Sequence, residues 1–498
     1  MEDESTTSNQ LELLKDHYPM NKKILGNVYI FNHVLFDNRS LGARYGNVKD
    51  CQDIEEVFHR LKFKVKIYKD LSYKEILETL SKISDMDYSN FDCLVFFILT
   101  HGRNGKIFAR DIDYYPHIYW NSFNKPSFMN KPKLIFVQDP RGDEIDDETH
   151  YGIRIPPSVH NECLAPDSYT IPDIPDVLLM HSCHDGLFSW RSLVTGSSFV
   201  QHLCREIKLR SKSIDLLTLL TFLNQTLYVT FDISNNKKKH ATIVSTLTKV
   251  FYGDYYPLTK EKLGNVYIFN HVTFDNGTLG PRYAGIKDCQ DIEKVFQKLK
   301  FNVETYDDLS YNEILKKLSK IAEMDYSNFD CLIIFVLTHG ENGKVFARDV
   351  GYYPDIYWKS FTNKPSFMYK PKLIFIQDSR GDETDDESRY GIITPKPIDN
   401  EVLEPTGYPL PDVPDVLVMY SCYDGFFSWR TAITGTSFVQ RLCLEFKYRS
   451  KPNDIITLLT LLNQLTTLTP MNRHMTRVSN IERRHSTIIS TLTRVLVL

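Results

Sequence analysis

The chain has 498 residues, 42% of them apolar, and a net charge of −4, the make-up of an ordinary globular protein with length for more than one domain. No basic excess argues for a nucleic-acid partner, and the longest apolar runs, such as Leu94 to Leu99, are strand-length rather than membrane-length. The opening MEDESTTSNQ is acidic and polar, unlike a secretory signal, so the cytoplasm is the expected compartment.

After a leader over 1–25, Val28 to Phe31 reads as a strand. Ile54, Val57, Phe58 and Leu61 fall at i, i+3, i+4 and i+7, which predicts an amphipathic helix near Asp50 to Leu61. Lys62 to Tyr68 reads as a second strand, and Ser72 to Ile83 as a helix with Ser72 as N-cap. Cys93 to Leu99 is a nearly continuous apolar strand, as expected in a sheet covered on both faces. Strands at Leu134 to Gln138 and Val177 to His181 follow, then helices near Ser197 to Leu209 and Ile214 to Asn224. Thr242 to Val250 closes the series as a β-branched strand. This alternation predicts an α/β fold with a mostly parallel, doubly wound sheet.

The whole pattern then repeats. GNVYIFNHVLFDNRSLGARYGNVKDCQDIEEVF begins at Gly26, and GNVYIFNHVTFDNGTLGPRYAGIKDCQDIEKVF begins at Gly264. The register holds to Trp120 and Trp358 and slips by one residue at Asn124 against Thr362 and Asn363. This is a duplicated pair of whole domains rather than a short solenoid period. The expected domains are 26–251 and 264–498, joined by 252–263. Nine cysteines are present. Eight of them match between the copies, mostly on apolar faces, which reads as reduced core thiols. No Cys/His cluster has metal-ligand spacing, so neither a metal nor a cofactor is expected.

Several spaced motifs occur in both copies: LTHG at Leu99 and Leu337, QDPRG at Gln138 and QDSRG at Gln377, FSWR at Phe188 and Phe427, and STLTK and STLTR near the ends. In this order they resemble the caspase family of Asp-directed cysteine proteases, of the executioner rather than the initiator type, over almost the whole chain. The resemblance implies two caspase-type domains, each a mostly parallel central sheet flanked by helices. Large-subunit-like portions would span 26–142 and 264–381, linkers 143–175 and 382–414, and small-subunit-like portions 176–251 and 415–498. It makes His101 and His339 the counterparts of the catalytic histidine, and Gly102 and Gly340 donors to the oxyanion hole. Arg44, Gln138 and Arg191, with Arg282, Gln377 and Arg430 in the second copy, would line the pocket for a substrate Asp. Paired guanidiniums and an amide suit a carboxylate. Trp190 and Trp429 would border the next pocket. Asp146 and Asp385, closing DEID and DETD, stand where executioner caspases are cut.

The nucleophile departs from the family. Its position is Pro140 in the first copy and Ser379 in the second. Proline carries neither a nucleophile nor a backbone N–H, and a serine hydroxyl needs an oriented base to react. The preceding residue, alanine in the family, is Asp139 or Asp378. A carboxylate there disfavours a neighbouring thiolate, and would be able to tether His101 or His339. The expected function is therefore that of an inactive homologue that modulates apoptotic caspases. Family domains pair through the last strand, so the expected partners are an active caspase or self, within one chain or as a homodimer. Two alternatives stand beside it: weak Asp-directed hydrolysis by Ser379 and His339, and a module that binds Asp-containing peptides without cutting them.

Overall fold

The computed structural model describes residues 18, 20, 22–38, 40–103, 105–139, 169–182, 191–192, 195–211, 215–230, 241–246, 263–275, 277, 279–341, 343–362, 364–368, 370–379, 408–421, 430–431, 434–449, 455–468 and 486–492. At 191–192, 228–230, 379, 430–431, 448–449 and 465–468 the description is of the backbone only. The chain divides into two compact units, the first of residues 1–254 with 489–495 and the second of residues 255–488 with 496–498.

In the first unit the elements are β1 (Gly26–Asn32), α1 (Asn47–Arg60), β2 (Phe63–Lys69), α2 (Tyr73–Ser84), β3 (Cys93–Leu99), β4 (Gly102–Arg103), β5 (Lys106–Phe108), β6 (Asp113–Tyr114), α3 (Ile118–Asn121), β7 (Lys133–Gln138), β8 (Val177–His181), β9 (Arg191–Ser192), β10 (Gly196–Ser197), α4 (Ser198–Arg210), α5 (Leu216–Thr230) and β11 (Thr242–Ser245). The main sheet runs β11-β8-β7-β3-β1-β2. Its ladders are parallel except that β11 runs antiparallel to β8.

β3 is buried at every residue, and the period-2 alternation of a strand explains why its apolar run is unbroken. Phe97 meets Phe58 of α1 at 5.5 Å between ring centroids, while Phe96 meets Tyr119 of α3 at 5.5 Å and Phe123 at 5.3 Å. α1 packs beside α4; Ile54, Val57 and Phe58 of α1 and Phe199, Val200 and Leu203 of α4 are buried. α2 starts where the sequence predicts, because Ser72 accepts from the Glu75 N–H while the Glu75 carboxylate accepts from the Ser72 N–H.

The second unit repeats this plan with β12 (Gly264–Asn270), α6 (Ala284–Lys298), β13 (Asn302–Asp307), α7 (Tyr311–Ala322), β14 (Cys331–Glu341), β15 (Lys344–Phe346), β16 (Gly351–Tyr352), α8 (Ile356–Lys359), β17 (Lys372–Ser379), β18 (Val416–Tyr420), β19 (Arg430–Thr431), β20 (Gly435–Thr436), α9 (Ser437–Arg449), α10 (Ile455–Leu468) and β21 (Thr487–Ser490). Its main sheet runs β13-β12-β14-β17-β18-β21.

Composition and periodicity give no warning of the small antiparallel elements. The three-stranded sheet β4-β5-β6 and the hairpin β9-β10 are too short to show a period. β11 is described as four residues, Thr242–Ser245; positions 247–250 of the expected strand lie outside the described residues. Among the described residues no helix is long and apolar enough to cross a membrane, and no group of three His, Cys, Asp or Glu side chains is placed to hold a metal ion. Cys51, Cys93, Cys204, Cys289, Cys331 and Cys443 are free and buried. Burial pushes the Cys51, Cys204 and Cys443 thiols up to about 12, so none of the three is a thiolate at neutral pH.

Candidate active site

In an open parallel sheet, ligands bind beyond the carboxyl ends of the strands. The motif residues of each unit gather at that edge. In the first unit, His33 follows β1, His101 and Gly102 follow β3, Gln138 and Asp139 end β7, and His181 and Ser182 end β8. In the second unit β14 and β17 continue further. Their parallel register sets Leu337 against Gln377, Thr338 against Asp378 and His339 against Ser379. The histidine and the serine are therefore cross-strand neighbours, and partners in a ladder lie about 5 Å apart across it.

The orienter of the histidine is a main-chain carbonyl. His101 Nε2 lies 2.8 Å from Gly42 O, and His339 Nε2 lies 2.8 Å from Gly280 O. A carbonyl only accepts, so Nε2 donates this hydrogen bond. Each imidazole also lies 5.0 Å, at a tilt of 55°, from an aromatic ring, Phe36 or Phe274. The loop bearing that ring is held by Asp70 or Asp308. Asp70 Oδ1 accepts from Val34 N at 2.6 Å and from Leu35 N at 3.0 Å. Asp308 Oδ1 accepts from Val272 N and Thr273 N. Gly42 and Gly280 contribute only backbone, which is why residue types gave no sign of them; the repeated LGxRY phrase was the available signal.

Asp139 and Asp378 are wholly buried against the glycine after the histidine. A Cβ on Gly102 would lie 2.7 Å from Asp139 Oδ2, and one on Gly340 would lie 2.5 Å from Asp378 Oδ2. In the first unit Asp139 Oδ2 also lies 3.7 Å from His181 Nδ1, and Asp139 N donates to Ser182 Oγ at 3.3 Å. The second unit has Tyr420 where the first has His181, so this buried Asp–His pair belongs to one copy.

Arg44 and Arg282 are 1% and 0% exposed. Arg44 donates through Nη2 to the side-chain and backbone oxygens of Gln138, and Arg282 donates to the Gln377 side chain. Two of the three expected pocket residues are thus in contact in each unit. The third lies on a hairpin tied to the helix that follows the arginine, α1 in the first unit and α6 in the second. Ser197 N donates to Asp50 Oδ1 at 2.7 Å, and Ser197 pairs with Arg191 across β9 and β10. Thr436 N donates to Asp288 Oδ1 at 2.7 Å, and Thr436 pairs with Arg430. Gly196 and Gly435 have φ of 81° and 79°, and any Cβ would run into these carboxylates. Burial lifts the Asp288 carboxyl to about 6. The repeated KDCQDIE segment carries Asp50 and Asp288, but a carboxylate on a helix reads as a solvated group, so its anchoring role was missed. The side chains of Arg191, Arg430 and Ser379, together with Pro140, Trp190, Trp429, Asp146 and Asp385, lie outside the described residues.

Each unit thus has the form of an open α/β domain with a histidine and an Arg–Gln pair at the carboxyl edge of its sheet. The caspase domain model matches residues 26–252 and again 264–495, and the chain belongs to that family, twice over. It is 35% identical over 256 residues to caspase-1 of Drosophila melanogaster, covering 49% of this chain and 78% of that one. To caspase-1 of Spodoptera frugiperda it is 37% identical over 246 residues, covering 49% and 81%. The crystal structure of the Spodoptera enzyme aligns with a TM-score of 0.41 at 36% identity, covering 49% of this chain and 93% of that one.

Proposed function

We propose that the chain is a non-cleaving caspase homologue that acts on active caspases by caspase-type pairing. The observation that carries this is the residue at the nucleophile position, Pro140 in one copy and Ser379 in the other, neither of them a thiol. A peptide carbonyl at neutral pH calls for a soft, partly ionised nucleophile. The carboxylates of Asp139 and Asp378 support the reading further. They lie against the glycines that the family uses to stabilise an oxyanion, and an acidic side chain there is a poor setting for the negative charge that develops in the transition state. Proline at 140 also removes a backbone donor, a loss that in comparable sites costs about a hundredfold or more in rate.

Pairing would use the last strand of each unit, described at Thr242–Ser245 and Thr487–Ser490. The test is a titration of the chain into an active executioner caspase, with cross-linking in parallel. The proposal expects a saturable change in the caspase's rate and a cross-link between the two proteins. A constant rate together with self-contacts alone would rule out the partner.

One observation favours a second reading, weak Asp-directed hydrolysis: the cross-strand placement of Ser379 beside His339. It requires covalent capture of Ser379 by an Asp-based electrophile. The third reading, a module that holds Asp-containing peptides, draws on Arg44 with Gln138 and Arg282 with Gln377. It requires that these buried guanidiniums open to solvent.

A further inference from the structure

The outer edge strands of the two units carry opposite charge. β2 ends the sheet of the first unit and β13 ends that of the second, each paired along one side, to β1 and to β12. Among the described residues nothing is paired to the other side. β2 reads FKVKIYK, with Lys64, Lys66 and Lys69 exposed, and β13 reads NVETYD, with Asn302, Glu304 and Asp307 exposed. These are the same positions of the duplicated domain, with the same pattern of exposure, and the lysines at 66 and 69 have become carboxylates at 304 and 307. Asp307 also accepts from Asn270 Nδ2 at 2.8 Å, and the Lys317 ammonium sits 4.3 Å from the Tyr306 ring centre. The outward charges of β13 itself remain acidic.

Charge on an edge strand normally blocks pairing with another edge. Here it blocks only like with like. β2 against β2 would set lysine against lysine, and β13 against β13 carboxylate against carboxylate, both destabilising across a ladder. β2 against β13 meets no such penalty. We infer that β2 of one molecule pairs with β13 of a second copy of this chain. The ladder is antiparallel, with Lys66 opposite Asp307 and Lys69 opposite Glu304. In that register Ile67 faces Tyr306 and Tyr68 faces Thr305, aliphatic–aromatic and aromatic–β-branched pairs that favour strand association. Directly opposite residues share a face of the ladder, and residues three apart on a strand lie on opposite faces, so one charge pair forms on each face. The interface joins two different surfaces, so it is heterologous and adds copies head to tail.

The inference is independent of any effect on caspases, and its test is the association state of the full chain. Two charge-reversed chains are needed: Lys66→Glu with Lys69→Glu makes both edges acidic, and Glu304→Lys with Asp307→Lys makes both basic. In sedimentation velocity at low ionic strength, the native chain should associate with rising concentration, and that association should weaken about tenfold or more in high salt. Each reversed chain alone should stay monomeric, and an equimolar mixture of the two should associate again. A monomeric native chain would overturn the inference. So would association that survives in either reversed chain alone, or a mixture that fails to associate.

Discussion

The carboxylate of Asp139 rests on Gly102: a Cβ on that glycine would lie 2.7 Å from Asp139 Oδ2 and 2.9 Å from Asp139 Cβ. The same contact recurs between Asp378 and Gly340. Both aspartates are fully buried, so neither side chain swings away into solvent. Gly102→Ala and Gly340→Ala should each destabilise their unit by about 1–3 kcal/mol through overpacking. Pairing each with Asp139→Ala or Asp378→Ala should recover part of the loss. Chemical denaturation of the single and double variants measures the coupling, and strictly additive losses would mean that the carboxylate is not the obstacle.

Restoring a thiol is not enough to restore a reactive site. Ser379→Cys would place the thiol next to Asp378, whose charge disfavours a thiolate. That cysteine should be alkylated slowly at neutral pH, and Ser379→Cys with Asp378→Ala roughly tenfold faster, about one pKa unit. The rate of carboxymethylation against pH is the measurement, and equal rates would remove the electrostatic role assigned to Asp378.

The hairpins that carry Arg191 and Arg430 are held by Asp50 and Asp288. Asp50→Ala should cost about 1–3 kcal/mol, because the Ser197 N–H is left buried without its acceptor. It should also raise proteolytic nicking between 183 and 197. Gly196→Ala should cost more, since it adds a strained φ of 81° to a steric collision. Limited proteolysis with mass mapping checks both. Nicking no faster than in the native chain would argue that the hairpin has other anchors.

His33 and His271 are buried, and burial lowers each imidazole to about 4. The unfolded chain binds these protons near pH 6.5, so each histidine contributes about 3 kcal/mol of stability that is complete above pH 6.5. That contribution is lost as pH falls toward 4. Asp288 runs the other way: with its carboxyl raised to about 6, its cost at neutral pH is relieved as pH falls from 6 toward 3.8. His33→Asn and His271→Asn should flatten the loss of stability between pH 6.5 and 5. Denaturation midpoints at pH 7 and pH 5 decide it, and an unchanged slope would place the titrating groups elsewhere.

Most of the scaffold was legible because its elements bury one stripe or two faces and so show a period. The apolar run of Cys93–Leu99 and the Ser72 capping box were both visible in residue types. The hairpins β4-β5-β6 and β9-β10 were not, since two or three residues cannot display alternation. At the site, His101 and Arg44 could be named from their motifs. The Gly42 carbonyl that orients His101 could not, because a backbone acceptor leaves no trace in a side chain. Asp139 stood out as a charge in place of alanine, yet its neighbours Gly102 and His181 are supplied by two other strands. Only the folded sheet brings them together.

Absence of turnover is the most direct consequence of Pro140 and Ser379 at the nucleophile positions. Purified chain and its Ser379→Ala variant should be assayed side by side on a fluorogenic Asp-Glu-x-Asp peptide, alone and added to an active executioner caspase. The predicted result is no hydrolysis by either chain, together with a dose-dependent change in the rate of the added caspase. Hydrolysis by the native chain that disappears in Ser379→Ala would make the second domain an enzyme and contradict the account.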